Sequence, residues 1–307
     1  MPKTKRVLII LLGLIVFIIA LVMVYKNVTR KTTQMTKEAA ESEVFEAINP
    51  DQAKDAGEDV QKEEKPFVFR DVFGEEYEMT INPDVPAVTY SKDAFLHDGD
   101  KVSYTDGKYS LGIDVSHHQG EIDWDKVKEA GYDFAILRIG YRGYGQTGSL
   151  NRDEKFEENY KNAKAAGLSV GAYFFAQAIN EQEAKEEADF VLEILDERPL
   201  DLPVVYDPES ILDDEARTDN VSGEQFTKNT RVFCERIEES GYRPMIYANM
   251  LWEAFELDLS ELLDYPIWYA DYESVPQSPY AFEIWQYTNE GQVPGVEGPC
   301  DINIWID

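Results

Sequence analysis

Cysteine and histidine are scarce here, and that removes several kinds of chemistry at once. The 307 residues include only two cysteines and three histidines. Cys234 and Cys300 lie too far apart to form a zinc ribbon or define a disulfide framework. Cys234 sits in a helical pattern, "TRVFCERIEESG", where a small buried thiol is expected; a single Cys234–Cys300 bridge is left open. Two of the histidines are adjacent, in "LGIDVSHHQG" (residues 111–120). Read as strand neighbours, His117 and His118 point to opposite faces and do not share a metal. A histidine-based zinc site also needs three or four ligands. No metal and no cofactor are expected. Positive charge is short as well: 29 Lys+Arg stand against 60 Asp+Glu, a formal net charge of −31. A polyanion would be repelled before specific contacts formed, so no nucleic-acid partner is expected. Most of these carboxylates read as solvated helical surface.

Hydrophobic residues make up 43% and aromatics 12%, enough for a folded core. One apolar run stands apart. Val7 to Tyr25 carries no charge and as a helix would span about 28 Å, close to the hydrocarbon thickness of a bilayer. It lacks a convincing cleavage site and is expected to be an uncleaved transmembrane helix. Lys3, Lys5 and Arg6 precede it, and Lys26, Arg30, Lys31 and Lys37 follow it. Charge alone therefore leaves orientation nearly balanced.

Four segments follow from the composition: residues 1–25, a cytoplasmic tip and membrane anchor; 26–65, a polar tether; 66–110, a small β-rich appendage; and 111–307, the main domain. In the appendage, "TDGK" reads as a hairpin turn. From Leu111 the pattern becomes regular. Five strands, "LGIDVS", "FAILRIGY", "SVGAYFFA", "LPVVYDPE" and "PMIYANM", alternate with helical patterns, the last of them weak ("LWEAFELDLSELL"). Three more strands, "PIWYADY", "FEIWQYT" and "DINIWI", follow without good helices. Alternating strands and helices predict a mostly parallel sheet. The expected fold is α/β: a β/α barrel of five βα units and three further strands, with a doubly wound open sheet as the alternative.

A β/α barrel builds its site at the C-terminal ends of its strands. The first strand ends in Asp114, the fourth in Asp207 and Glu209, and the sixth in Asp271. Residues two apart on a strand share a face, so Asp207 and Glu209 should point together at the mouth. Close, partly buried carboxyls do not both ionise easily, and one keeps a proton for general acid work. That is what glycoside hydrolysis requires. Tyr173, Phe175, Trp268, Trp285 and Tyr287 are the candidate sugar-binding aromatics, with barrel core as their bland alternative.

"GIDVSHHQGEIDWDKVKEAGYDFAILRIGYRGYG", "DEKFEENYKNAKAAGLSVGAYFF", "PVVYDPES" and "WQYT…DINIW" together resemble glycoside hydrolase family 25, the bacterial and phage lysozymes. The resemblance runs from Leu111 to the C-terminus. It implies a β/α barrel hydrolysing the β-1,4 bond between N-acetylmuramic acid and N-acetylglucosamine in peptidoglycan. It assigns Glu209 as general acid and Asp207 as the carboxylate that assists the substrate's acetamido group or stabilises charge. Asp114 and Asp271 match the other acidic cleft positions. After "GAY" many members carry a histidine where this chain has Phe174. The partner implied is a peptidoglycan glycan strand, and the catalytic domain is expected outside the cell membrane, anchored by one N-terminal pass. A chitinase-like barrel fits less well, because "LPVVY" lacks that class's longer acidic motif. A non-catalytic glycan-binding or cell-wall interaction module on the same barrel is the alternative function.

Overall fold

Eight strands close on one another around a barrel in this computed structural model, which describes residues 66–306 apart from Phe73 and Asp213. The apolar run at 7–25 and the polar stretch 26–65 lie outside the described residues. Among those described, no helix is long and apolar enough to cross a membrane.

The barrel strands are β5 (Tyr109–Val115), β6 (Phe134–Arg142), β8 (Ser169–Ala176), β9 (Val204–Pro208), β10 (Pro244–Asn249), β11 (Ile267–Ala270), β12 (Ile284–Gly291) and β13 (Cys300–Ile306). β7 (Leu150–Arg152) lies antiparallel against β6, outside the ring. The seven strands from β5 to β12 run parallel in chain order. β13 then returns antiparallel to both β12 and β5 and closes the ring. The expected closed barrel is therefore present, with one reversed strand. A parallel return would need a crossover of a dozen or more residues, and the connection over residues 292–299 is too short for one.

Side chains alternate along each strand between two cores. Phe134, Ile136, Val205, Met245, Trp268 and Ile284 fill the inside of the barrel. Ile113, Leu137, Phe174, Tyr206, Ile246 and their neighbours face outward into the layer beneath the helices. At one inward position only glycine fits: a Cβ on Gly112 would stand 2.3 Å from the ring of Phe134.

Four α-helices cover the outside: α1 (Trp124–Glu129), α2 (Phe156–Ala165), α3 (Glu181–Leu195) and α4 (Gly223–Glu239). Their ends follow the sequence signals. Asp123, Asn180 and Ser222 accept hydrogen bonds from Lys126, Glu183 and Gln225 amides as N-caps. Gly131, Gly167 and Gly241, at φ +90°, +83° and +84°, end α1, α2 and α4. In α3, Ala184, Ala188, Val191 and Leu195 make the buried stripe. The weak fifth helix is replaced by a π-turn over Trp252–Glu256, with the Leu257 amide bonded to Trp252 O, and a 3₁₀ turn over Leu259–Glu261.

The appendage consists of two hairpins, β1 (Phe67–Arg70) with β2 (Glu76–Met79) and β3 (Phe95–Asp98) with β4 (Lys101–Tyr104). The hairpin expected at "TDGK" is displaced. Residues 105–108 only link β4 to β5, and the tight turn is made by Gly99 and Asp100, with Gly99 at φ +61°. The appendage shares the outer core through Phe69, Met79, Phe95 and Val102. Cys234 and Cys300 are buried free thiols, so the bridge left open above is absent.

Candidate active site

The upper inward layer of the barrel is polar. Asp114 ends β5, Arg138 lies on β6, Asp207 and Glu209 end β9, and Asp301 begins β13 opposite Asp114. Asp114 is 5% exposed, and its Oδ2 accepts from Gln286 Nε2 (2.9 Å) and Asn303 Nδ2 (2.8 Å). Burial pushes its carboxyl up to about 6, against the pull of those two donors. Asp207 is also 5% exposed, and its Oδ1 is buried with no hydrogen-bond partner among the described residues. Burial, then the charges of Glu209 and Asp114, raise it well above the usual carboxylate range, while Arg138 pulls the other way. Glu209, half-buried at the mouth, is pushed up to about 7 by burial and Asp114, with Tyr247 as its hydrogen-bond partner. Asp301 rises to about 9 through burial, Asp114 and Glu209. Asp301 therefore keeps its proton at neutral pH, Asp114 is mostly ionised, and Glu209, which lines the groove, is poised to exchange a proton.

Other side chains hold these groups in place. Tyr247 and Tyr272 hydroxyls lie 3.1 and 3.0 Å from Gln286 Oε1, so one amide joins Asp114 to the tyrosines beside Glu209. Gln177 Nε2 donates to the Glu209 carbonyl at 2.8 Å, while Gln177 Oε1 accepts from Thr218 Oγ1 at 2.8 Å. The Gln177 amide in turn donates to Glu187, whose carboxylate is paired with Arg142 at 2.8 Å. Arg138 Nε donates to Asp153 at 2.8 Å, and its guanidinium also meets the His117 ring.

Glu209 opens into a groove of about 900 Å³ along the barrel mouth. Asp271 lines this groove too, but its carboxylate is occupied. It accepts from Tyr269 Oη (2.7 Å), the Gln277 amide (2.8 Å), the Glu273 amide (3.1 Å) and Gln277 Nε2 (3.2 Å). Of the four rim carboxylates expected to converge, Asp114, Asp207 and Glu209 lie close enough to act on one another's charge. Asp301 takes the fourth place, and Asp271 anchors the loop that follows β11.

The aromatic expectations divide by strand parity. Tyr173 and Trp268 point inward and meet edge to face at 6.1 Å, with Trp268 Nε1 donating to Asn303. Phe175, on the same face of β8 as Tyr173, is partly exposed. Trp285 and Tyr287 point the other way. Trp285 is fully buried against Phe95 and donates to the Asp271 carbonyl; Tyr287 Oη donates to the Asp100 carbonyl. Both are core contacts with the appendage and are not open to a sugar. Trp268, 1% exposed, is barrel core as well.

The histidines correct another expectation. Residues 117–119 form a 3₁₀ turn after β5 and not a continued strand, so the two rings lie together at 4.1 Å. His117 is engaged by Asp153 and Arg138, and burial lowers the proton affinity of His118.

A family model for glycosyl hydrolases family 25 matches residues 113–296. The chain belongs to that family. It is 31% identical over 206 residues to lysozyme M1 of Streptomyces globisporus, covering 62% of this chain and 66% of that protein. It is 26% identical over 193 residues to the autolytic lysozyme of Clostridium acetobutylicum, covering 62% of this chain and 54% of that protein, about half the relative's length. Among solved structures, a family 25 glycosyl hydrolase from Bacillus anthracis aligns at 25% identity with a TM-score of 0.55, covering 64% of this chain and 88% of that one. The Streptomyces coelicolor lysozyme aligns at 27% with a TM-score of 0.50, covering 65% and 92%. This family 25 chain is a glycoside hydrolase of the muramidase type. The family match begins inside β5 and leaves out the appendage.

Four contributors to the site escaped sequence reasoning: Asp301, Arg138, Gln286 and Asn303. Each is a polar residue at an inward position of an otherwise apolar strand, within "FAILRIGY", "IWQY" and "DINIW". That placement was the available signal.

Proposed function

We propose that this chain hydrolyses the β-1,4 bond between N-acetylmuramic acid and N-acetylglucosamine in peptidoglycan. The observation that carries this reading is the Asp207/Glu209 pair: two carboxyls on one face at the end of β9, both holding protons more tightly than in water, beside an open groove. Protonated Glu209 donates to the glycosidic oxygen as the bond to the anomeric carbon breaks. The orphaned Oδ1 of Asp207 is an acceptor in search of a donor, and the N–H of the sugar's 2-acetamido group supplies one. Asp114, held by Gln286 and Asn303, places negative charge beneath the developing oxocarbenium ion. Water then takes the anomeric carbon, and Glu209, now ionised, recovers its proton from that water. Asp271 acts through the loop it anchors, and Tyr173 and Phe175 stand on β8 beside the buried carboxyls.

We place the catalytic domain outside the cell membrane, held by a single pass over residues 7–25. The support is the uncharged nineteen-residue run together with a substrate that lies outside the membrane.

Mass spectrometry of purified peptidoglycan treated with the full chain tests the activity. Muropeptides ending in reducing muramic acid are expected. Intact glycan in both the wild-type and Glu209→Gln reactions would sink the enzymatic reading and favour a glycan-binding module.

A further inference from the structure

One wall of the groove is built by residues outside the family 25 match. Arg70, Val72 and Tyr77 of the β1–β2 hairpin line the same cavity as Glu209. Gln277 fixes the hairpin there: its Oε1 accepts from the Arg70 amide and its Nε2 donates to the Arg70 carbonyl, both at 2.9 Å. The Gln277 amide is bound by Asp271, so hairpin and rim are tied through one residue.

Two features of this wall suit a ligand better than they suit folding. Arg70 is the only cation among the groove's described lining residues, which also include Glu209, Glu256, Asp271 and Glu290. Its ion pair with Glu76 (3.1 Å) joins side chains 56% and 62% exposed, so it is weak and readily exchanged. Phe255, on the π-turn, is 52% exposed although it is a large aromatic. Its ring lies 6.1 Å from both Tyr77 and Phe69, while Phe69 and Tyr77 stack at 5.6 Å. An aromatic platform beside a guanidinium fits a sugar ring with an anionic peptide attached to it.

We propose that the β1–β2 hairpin and Phe255 form a distal glycan subsite, in which Tyr77 and Phe255 pack on a sugar face and Arg70 pairs with a carboxylate of the attached peptide. This rests on the peptidoglycan reading above. The occupant is the glycan strand itself, because the platform and Glu209 share one continuous groove.

Retention on insoluble peptidoglycan, with the full chain in a Glu209→Gln background, tests the subsite without turnover. Thermal melts of each variant check folding. Arg70→Glu should weaken retention on intact peptidoglycan roughly tenfold, the size of one charge-assisted contact, with under about twofold effect on insoluble chitin, a peptide-free glycan that carries no carboxylate. Phe255→Ala should weaken retention on both. With Glu209 restored, both substitutions should raise KM on intact peptidoglycan more than they lower kcat. Folded variants retained as well as their parent, on both substrates, would overturn the subsite. Weakened retention by variants of a chain that cleaves nothing would support the subsite while sinking the muramidase reading.

Discussion

Asp207 and Glu209 differ by two positions and by depth, and depth decides what each can do. Asp207 lies deeper, 5% exposed beside Asp114, Glu209 and Arg138, while Glu209 reaches the groove. Glu209→Gln should lower kcat roughly a hundred- to ten-thousand-fold and leave the melting temperature nearly unchanged, as read by turnover assays and circular dichroism. Glu209 sits at about 7, so kcat/KM should fall as pH rises through that value and the acid loses its proton. An activity that stayed flat to pH 9 would exclude Glu209 as the acid. Asp301 makes a prediction about stability. Its folded carboxyl is raised to about 9, above an unfolded value of about 3.9. The stability it contributes is therefore complete below about pH 4 and falls as pH rises toward 9. Asp301→Asn should raise the melting temperature at pH 8 and change it little at pH 4. Asp114, Asp207 and Glu209 were legible because each ends a recognisable strand. Asp301 was not, because it begins a strand whose reversed direction brings that beginning to the mouth.

At the scale of elements, alternation along strands explained most of the site, and failures came where parity was not followed to the end of the strand. Ile284 and Gln286 face inward on β12, which sends Trp285 and Tyr287 outward into the appendage. Ala270 faces inward on β11, so Asp271 leaves with outward parity and is claimed by its own loop. The sequence periodicity held for β5, β6, β8, β9 and β10 and for α1 to α4, whose glycine stops and buried stripes are local, but gave no sign of β7. It missed the π-turn at Trp252–Glu256, where helix-forming residues lack the long amphipathic stripe that would sustain an α-helix. The Gln277 clamp also had no sequence signature, since its partners are backbone atoms 207 positions away. Gln277→Ala removes both bonds to Arg70. It should speed limited proteolysis within residues 67–79, with the barrel melting cooperatively within about 2 kcal/mol of wild type. A hairpin as protected as before would show that core packing through Phe69 and Met79 alone holds it.

At the scale of the whole molecule, charge limits how the enzyme meets its substrate, and the anchor proposed above makes its own prediction. The main domain carries 15 Lys+Arg against 41 Asp+Glu, so recognition of an anionic wall depends on shape, aromatic faces and hydrogen bonds. With residues 7–25 as an anchor, the full chain should sediment with membranes and be released by detergent, and deletion of residues 1–25 should move it to the soluble fraction. Protease added outside intact spheroplasts should remove the catalytic domain. Protection from that protease would reverse the proposed orientation.

Ring closure by β13 also has a temporal side. Asn303 and Asp301 reach the mouth only when β13, the last barrel strand in chain order, slots between β12 and β5. A nascent chain that ends before Cys300 already contains Asp207 and Glu209, but it lacks the donor from Asn303 to Asp114 and the strand that seals the barrel. The candidate site is thus completed only once residues 300–306 have been made, and a product terminated before them would carry Asp207 and Glu209 on an open sheet.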